Sequence, residues 1–330
     1  MASASGNTMI INGIDYTPKT HREWFYKALR KSKTLDNGYV RVIPGVTDTV
    51  RLQKIVMNAN TVSQVDSRDC AWTPTQRFNL STQNLQVANY KINEEQCLED
   101  LDSVYSEMVY RTIGATKDEW PSNEGDGEGL EAAVMFHLQN ALGQDVEKII
   151  WGGAANAVAG SHNGIVDKAL ASANTIKITG QTIDATNVVG EIKKVYDAIP
   201  DVVLNEGEFD PVNAPVKIFV DIKTMRYLKQ ALSTQQTAYQ VILPSFAIEG
   251  GKIYYMGVEI VSVGLPTGYM VAASKDNLVF ATDLLSDTTE IRAQMGNDLK
   301  DENIWRAKGA YRAAVGMVFD DEVVIYAPAG

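Results

Sequence analysis

The most regular apolar pattern in the chain runs from Gly129 to Trp151. Leu130, Val134, Leu138, Leu142, Val146 and Ile149 or Ile150 recur there at steps of three and four, a period that puts them on one face of a helix. Glu131, Gln139, Asn140, Asp145, Glu147 and Lys148 fall largely on the other side. Gly125, Gly127 and Gly129 interrupt any element entering from upstream, and Gly152–Gly153 end the pattern. At about 1.5 Å per residue the predicted helix is a rod of roughly 33 Å.

Upstream the pattern changes. Residues 1–18 are polar and contain Pro18, which predicts an arm that orders only against something else. Thr20 to Lys33 predicts a short helix with Trp24, Phe25, Ala28 and Leu29 on one side, and Asp36-Asn37-Gly38 is a turn signal. From Tyr39 to Ile92 the character is β. Val50, Leu52, Ile55, Val56 and Met57 interleave with Arg51, Gln53, Lys54 and Asn58. A polar turn region follows, from Asp66 through Arg68 to Pro74. Phe78, Leu80, Leu85, Val87, Ala88, Tyr90 and Ile92 then alternate with polar residues on the return. The expectation is a long two-limbed hairpin whose outer part is polar on both faces. A lone two-stranded ribbon is marginal in water, so this one either folds back onto the body or is held by other subunits. The scarcity of large apolar residues in its outer half favours the second. Asn93, with Gln96 three residues on, is expected to cap a helix carrying Leu98, Leu101, Tyr105 and Met108 or Val109.

Beyond the rod the pattern is that of a compact α/β module. Ile176–Ile178 reads as a strand, and Thr186 to Ile199 as a helix stopped by Pro200. Val216–Val220 is a strand, and Asp221 is expected to cap a helix reaching about Leu232. Lys252–Tyr255, Val258–Val263, Asn277–Ala281, Thr289–Arg292, Tyr311–Val318 and Glu322–Tyr326 read as further strands.

Composition narrows the function classes. With 330 residues, 45% hydrophobic and 22% charged, the chain is globular and large enough for one large or two modest domains. Its net charge of −11 is uneven, because residues 1–54 hold nine Lys/Arg against four Asp/Glu. The span 94–131 holds twelve acidic residues against Arg111 and Lys117. A generic nucleic-acid binder carries a basic face, and this body does the opposite. The basic amino-terminal segment suits phosphate, or equally the acidic body of a neighbouring copy. Cys70 and Cys97 build no disulfide framework. No apolar run is long enough for a membrane span, and the amino terminus lacks the regions of a signal peptide, so a soluble intracellular product is expected.

Candidate chemistry is sparse. His21, His137 and His162 lack metal-ligand spacing. No Gly-x-Ser-x-Gly, Walker A or His-Glu-x-x-His motif is present. Gly125-Asp126-Gly127-Glu128-Gly129 has no strand before it and two acids where a pyrophosphate would approach, and its spacing is not that of an EF-hand. No catalytic residue, cofactor or metal is expected.

The order of elements and the last eighty residues carry a resemblance. Gly251-Lys-Ile-Tyr-Tyr-Met-Gly-Val-Glu-Ile-Val-Ser-Val-Gly-Leu-Pro266, Ser274 to Phe280, Ile304 to Gly316 and Asp320 to Tyr326 together resemble the tailed-bacteriophage major capsid protein family, with the HK-ninety-seven-like fold. The resemblance spans most of residues 20–327. It implies an α+β chain with an amino-terminal arm and short helix at 1–38 and an extended loop at 39–92 lying over a neighbouring subunit. A peripheral domain at 93–164 follows, with its spine helix at 129–152, and then an axial domain at 165–305. Terminal strands at 306–330 return to the peripheral domain, where the rod packs near Val315 and Val324.

The implied function is a non-enzymatic shell subunit, self-assembling as hexamers and pentamers into an icosahedral virion capsid around double-stranded DNA. The resemblance implies that it is made in the host bacterial cytoplasm and encloses DNA without sequence-specific binding. Portal and separate scaffolding or decoration proteins are the implied partners, the arm being too short for an internal scaffold, and no membrane is involved. The candidate site residues are interfacial. Trp24 and Phe25 anchor the amino-terminal helix, Arg51 and Lys54 meet acidic groups of an adjacent subunit, and Arg68 joins them from the turn region. An encapsulin-type nanocompartment shell and an α/β enzyme with an inserted β arm are the alternatives.

Overall fold

The computed structural model describes residues 15–16, 28–46, 48–57, 78–97, 130–152, 163–205, 216–239, 246–283, 291–295 and 304–328. In chain order its elements are β1 (Asp15–Tyr16), α1 (Lys33–Asp36), β2 (Arg41–Pro44), β3 (Thr49–Met57), β4 (Phe78–Gln86), β5 (Ala88–Cys97) and the rod α2 (Leu130–Trp151). Then come α3 (Ile165–Ala171), β6 (Ile176–Gly180), α4 (Val188–Asp197), α5 (Asp201–Asn205), β7 (Val216–Val220) and α6 (Ile222–Tyr239). The last are β8 (Phe246–Glu249), β9 (Lys252–Tyr255), β10 (Val258–Ser262), β11 (Met270–Ser274), β12 (Leu278–Thr282), β13 (Ile291–Met295), β14 (Ile304–Met317) and β15 (Val324–Pro328). They divide into two compact units, one of residues 1–31, 89–144 and 283–312, the other of 32–88, 145–282 and 313–330.

In the first unit, β13 pairs antiparallel with the first part of β14, from Ile291↔Gly309 to Met295↔Trp305. β1 adds to β13 through Asp15↔Gln294 and Tyr16↔Ala293. Two residues of the amino-terminal arm thus order against another part of their own chain. β5 pairs with β14, with Tyr90 stacked on Tyr311 at 5.2 Å and Arg306 Nε 3.0 Å from the Glu95 carboxylate. The strand runs through Asn93 to Cys97, so Asn93 is not a helix cap. Ladder pairing with β14 overrides a local capping pattern. The helix expected from Leu98 lies outside the described residues.

The second unit is built on a seven-stranded mixed sheet in the order β6-β15-β11-β7-β10-β9-β8. β7 is the reason it can be covered on both faces. Val216, Ile218 and Val220 point into a core shared with Val188, Ile192 and Val195 of α4 and Leu228 and Ala231 of α6. Phe219, on the other face, lies 4.9 Å from the Trp151 ring and 5.8 Å from Tyr39. Asp221 caps α6, its carboxylate accepting from the backbone N–H groups of Lys223 and Thr224. β15 lies between β6 and β11, parallel to the first and antiparallel to the second. β15 is thus an inner strand of the seven-stranded sheet. Val324, Ile325 and Tyr326 are all buried, and only a central place in a covered sheet offers burial on both faces. β12 pairs antiparallel with the last part of β14 and parallel with β2.

The described rod, Leu130–Trp151, lies within the pattern that predicts it. Leu142, Val146, Ile149, Ile150 and Trp151 are its buried stripe, and Gly152 at φ +61° ends it. Its last residue contacts Phe219 of β7, with β11 lying between β7 and β15.

Candidate inter-subunit interface

The ribbon of β3 and β4 is a continuous antiparallel ladder from Thr49↔Gln86 to Met57↔Phe78. Its root packs on the second unit. Leu52 and Leu85 are buried with Val279, Ala281, Ala314 and Val318, and Val50 is packed against them. Folding back onto the body thus describes the root of the ribbon. Further out, Leu80 is 66% exposed, and Thr82, Gln83 and Asn84 face solvent.

Arg51 is exposed and sits opposite Asn84, while Lys54 sits opposite Ser81. Side chains alternate along a strand, so these two positions belong to opposite faces of the ribbon, with Lys54 on the row of Leu52. Trp24, Phe25 and Arg68 lie outside the described residues.

A cavity of about 470 Å³ lies beside the ribbon root, with Arg41, Leu52, Gln53, Asp276, Asn277 and Glu322 in its wall. Asn277 holds one side of it together. Its amide oxygen accepts from the N–H groups of Val318 and Phe319 at 3.0 and 2.7 Å, and its amide nitrogen donates to the Phe319 carbonyl at 2.7 Å. Among the described residues no group of three or more His, Cys, Asp or Glu is placed to hold a metal, and no described helix is long and apolar enough to cross a membrane.

Three polar clusters that anchor this unit are invisible in the sequence. Glu147, on the rod, accepts from Ser32 Oγ at 2.5 Å, Thr34 Oγ1 at 2.6 Å, Thr34 N–H at 3.0 Å and Gly264 N–H at 3.1 Å. Trp151 Nε1 donates to the same Thr34 hydroxyl at 2.8 Å. Glu259, on β10, is paired with Lys217 across the parallel ladder and with Lys252 at 3.2 Å. Burial alone would raise its pKa, but the hydrogen bonds from the two lysines outweigh it and hold the carboxyl below the usual range. Tyr326 donates to the Glu191 carboxylate and the Gln181 carbonyl, both at 2.8 Å. Its phenol is pushed well above the ordinary tyrosine value, first by burial and then by the acceptor Glu191. Apart from Lys252 and Glu259, neighbours on the β9–β10 hairpin, the main partners lie too far apart in the chain for a spacing rule to mark them.

No family model matches the chain, and no curated protein does. Solved structures do. A chain of the satellite phage P4 procapsid that includes the size determination protein superposes with a TM-score of 0.54 at 10% identity, covering 92% of this chain and 98% of that one. A chain of the capsid of an empty GTA particle gives 0.56 at 10% identity over 91% and 90%. One from Gordonia phage Cozz gives 0.52 at 12% identity over 91% and 87%. The α+β fold expected from the order of elements is the fold of this chain, and it is shared with these capsid chains.

Proposed function

We propose that this protein is a major capsid protein, the repeating subunit of an icosahedral bacteriophage shell that encloses double-stranded DNA. The observation that carries the reading is the match in fold to phage capsid chains over nine-tenths of this chain and about as much of theirs. The ribbon supports it. A ladder rooted in a core at one end and exposed further out gains its burial from a neighbour, and over a closed lattice such contacts add up. Trp24, Phe25, Arg51, Lys54 and Arg68 are assigned to contacts between subunits. The segments 93–164 and 165–305 supply most of a peripheral and an axial domain. Portal and separate scaffolding or decoration proteins complete the particle, and the subunit carries no catalytic activity. The acidic body suits a container for DNA, because a basic lining would pin the polyanion through counterion release. Electron microscopy of the purified protein tests the reading. Closed particles of uniform size are expected, and a protein that stays monomeric at all concentrations overturns it. Particles loaded with an enzyme instead of DNA would make it a nanocompartment.

A further inference from the structure

Helix α6 presents an exposed face that carries two cations. Ile222, Arg226, Lys229 and Ser233 fall at i, i+4, i+7 and i+11 and are all exposed, while Thr224, Leu228 and Ala231 on the opposite side are buried. The helix has three cations, Lys223, Arg226 and Lys229, and no acidic residue. Among the described residues Arg226 and Lys229 make no ion pair, whereas Lys193 and Lys194 on α4 pair with Asp197 and Glu191. Cations three apart on a helix repel one another, so an outside anion would stabilise the row.

The row also begins with an isoleucine that is 65% exposed. A phosphate backbone offers nothing to that side chain, but a protein surface meets both the charge and the apolar group. Arginine beside an exposed apolar residue is the composition of a protein interface. The richest complementary surface lies in this chain itself. Residues 94–131 carry twelve acids against two bases, and two of them on β5, Glu94 and the Arg306-paired Glu95, are exposed.

We infer that the Ile222–Arg226–Lys229 row of α6 docks against the acidic 94–131 segment of a second copy. The contact joins two different patches, so it is head-to-tail, and repeated by rotation it closes a ring. The inference rests on the shell-subunit reading and names one of its contacts.

The test is Arg226→Glu with Lys229→Glu in the full chain, reading the protein concentration at which sedimentation first detects assemblies and the nucleic acid that particles retain. Both positions are exposed, so circular dichroism and monomer stability should match wild type. The expected result is an onset shifted upward by about tenfold, since like charges across an interface are strongly unfavourable. Adding Glu94→Lys with Asp100→Lys should restore it. If the double reversal disturbs folding, Arg226→Gln with Lys229→Gln should shift the onset in the same direction by less. An unchanged onset overturns the inference and leaves the shell reading standing. An unchanged onset with less retained nucleic acid also overturns it and assigns the row to phosphate. A wild-type protein that never self-associates overturns both.

Discussion

Glu147, on the rod, and Gly264, 117 residues further along, are joined by a hydrogen bond of 3.1 Å from the Gly264 N–H to the Glu147 carboxylate. The approach is close enough that a Cβ on Gly264 would lie 2.5 Å from Glu147 Cγ. The same carboxylate gathers Ser32 and Thr34, so one side chain ties the rod's end to the segment entering the ribbon and to the loop after β10. Glu147→Ala leaves those donors without their acceptor and should cost about 3 kcal/mol, since hydrogen bonds to an ionised group are worth roughly 1.5–3 kcal/mol. Gly264→Ala should cost about 1–3 kcal/mol by overpacking. Chemical denaturation of the two variants checks both. Equal stability of Glu147→Ala and wild type would remove the tie from the account.

Glu259 makes stability depend on pH in a defined direction. Its folded pKa is depressed, so the ionised pair with Lys217 and Lys252 stabilises fully above the unfolded value of about 4.3. That contribution is lost as pH falls from there through the folded pKa. Glu259→Gln should flatten the acid limb of the stability curve. It should also cost about 2 kcal/mol at neutral pH, less than unpairing a fully buried ion, because Lys217 keeps some access to water. Denaturation midpoints followed from neutral pH into the acid range test both statements, and a wild-type curve parallel to the variant's would refute the first.

Gly180 and Tyr326 show where a missing side chain is required. A Cβ at Gly180 would lie 2.0 Å from the Tyr326 ring, and that ring is fully buried and held at its hydroxyl. Gly180→Ala should therefore destabilise by about 3 kcal/mol, at the upper end of overpacking. Tyr326→Phe, which keeps the ring and loses the donor, should cost about 1–2 kcal/mol. The reverse order of severity, measured by thermal unfolding, would mean that the hydroxyl matters more than the close approach.

Arg51→Glu with Lys54→Glu tests the ribbon as an assembly contact. Arg51 is exposed, and Lys54 lies beyond the buried root of the ribbon in the ladder. The reversals should leave monomer stability within about 0.5 kcal/mol of wild type while preventing closed shells. Because the two positions lie on opposite faces of the ribbon, the single variants should differ, with one carrying most of the effect. Normal shells from the double variant, seen by electron microscopy, would remove this limb from the interface.

Elements set by local pattern are legible in the residues. The rod's end is placed at Trp151, because its apolar period runs unbroken to the glycine stop at Gly152. Asp221 is legible as a cap because its signal lies within three residues of itself. β11 is not, since Met270-Val-Ala-Ala-Ser274 is buried almost throughout and therefore shows no alternation. α5 escapes because Pro200 reads as a stop, yet proline also suits the start of a helix. The turn of Asn93 from cap to strand residue is decided by β14, some two hundred residues away. The anchoring clusters of Glu147, Glu259 and Tyr326 are hidden for the same reason. An acid on the polar side of a helix looks solvated until its distant partners are in place.

The central position of β15 has a consequence for how the protein is made. Glu191 and the hydroxyl that binds it are 135 residues apart. A ribosome adding about 5–20 residues per second needs roughly ten seconds to supply the missing strand. Throughout that interval β6 and the inner face of α4 are built but lack the strand that covers them. A nascent chain in that state exposes apolar surface at the moment when other copies are being translated nearby. Protection of that surface during synthesis, by a chaperone or by slow initiation, should govern the yield of folded subunit more than the stability of the finished sheet does.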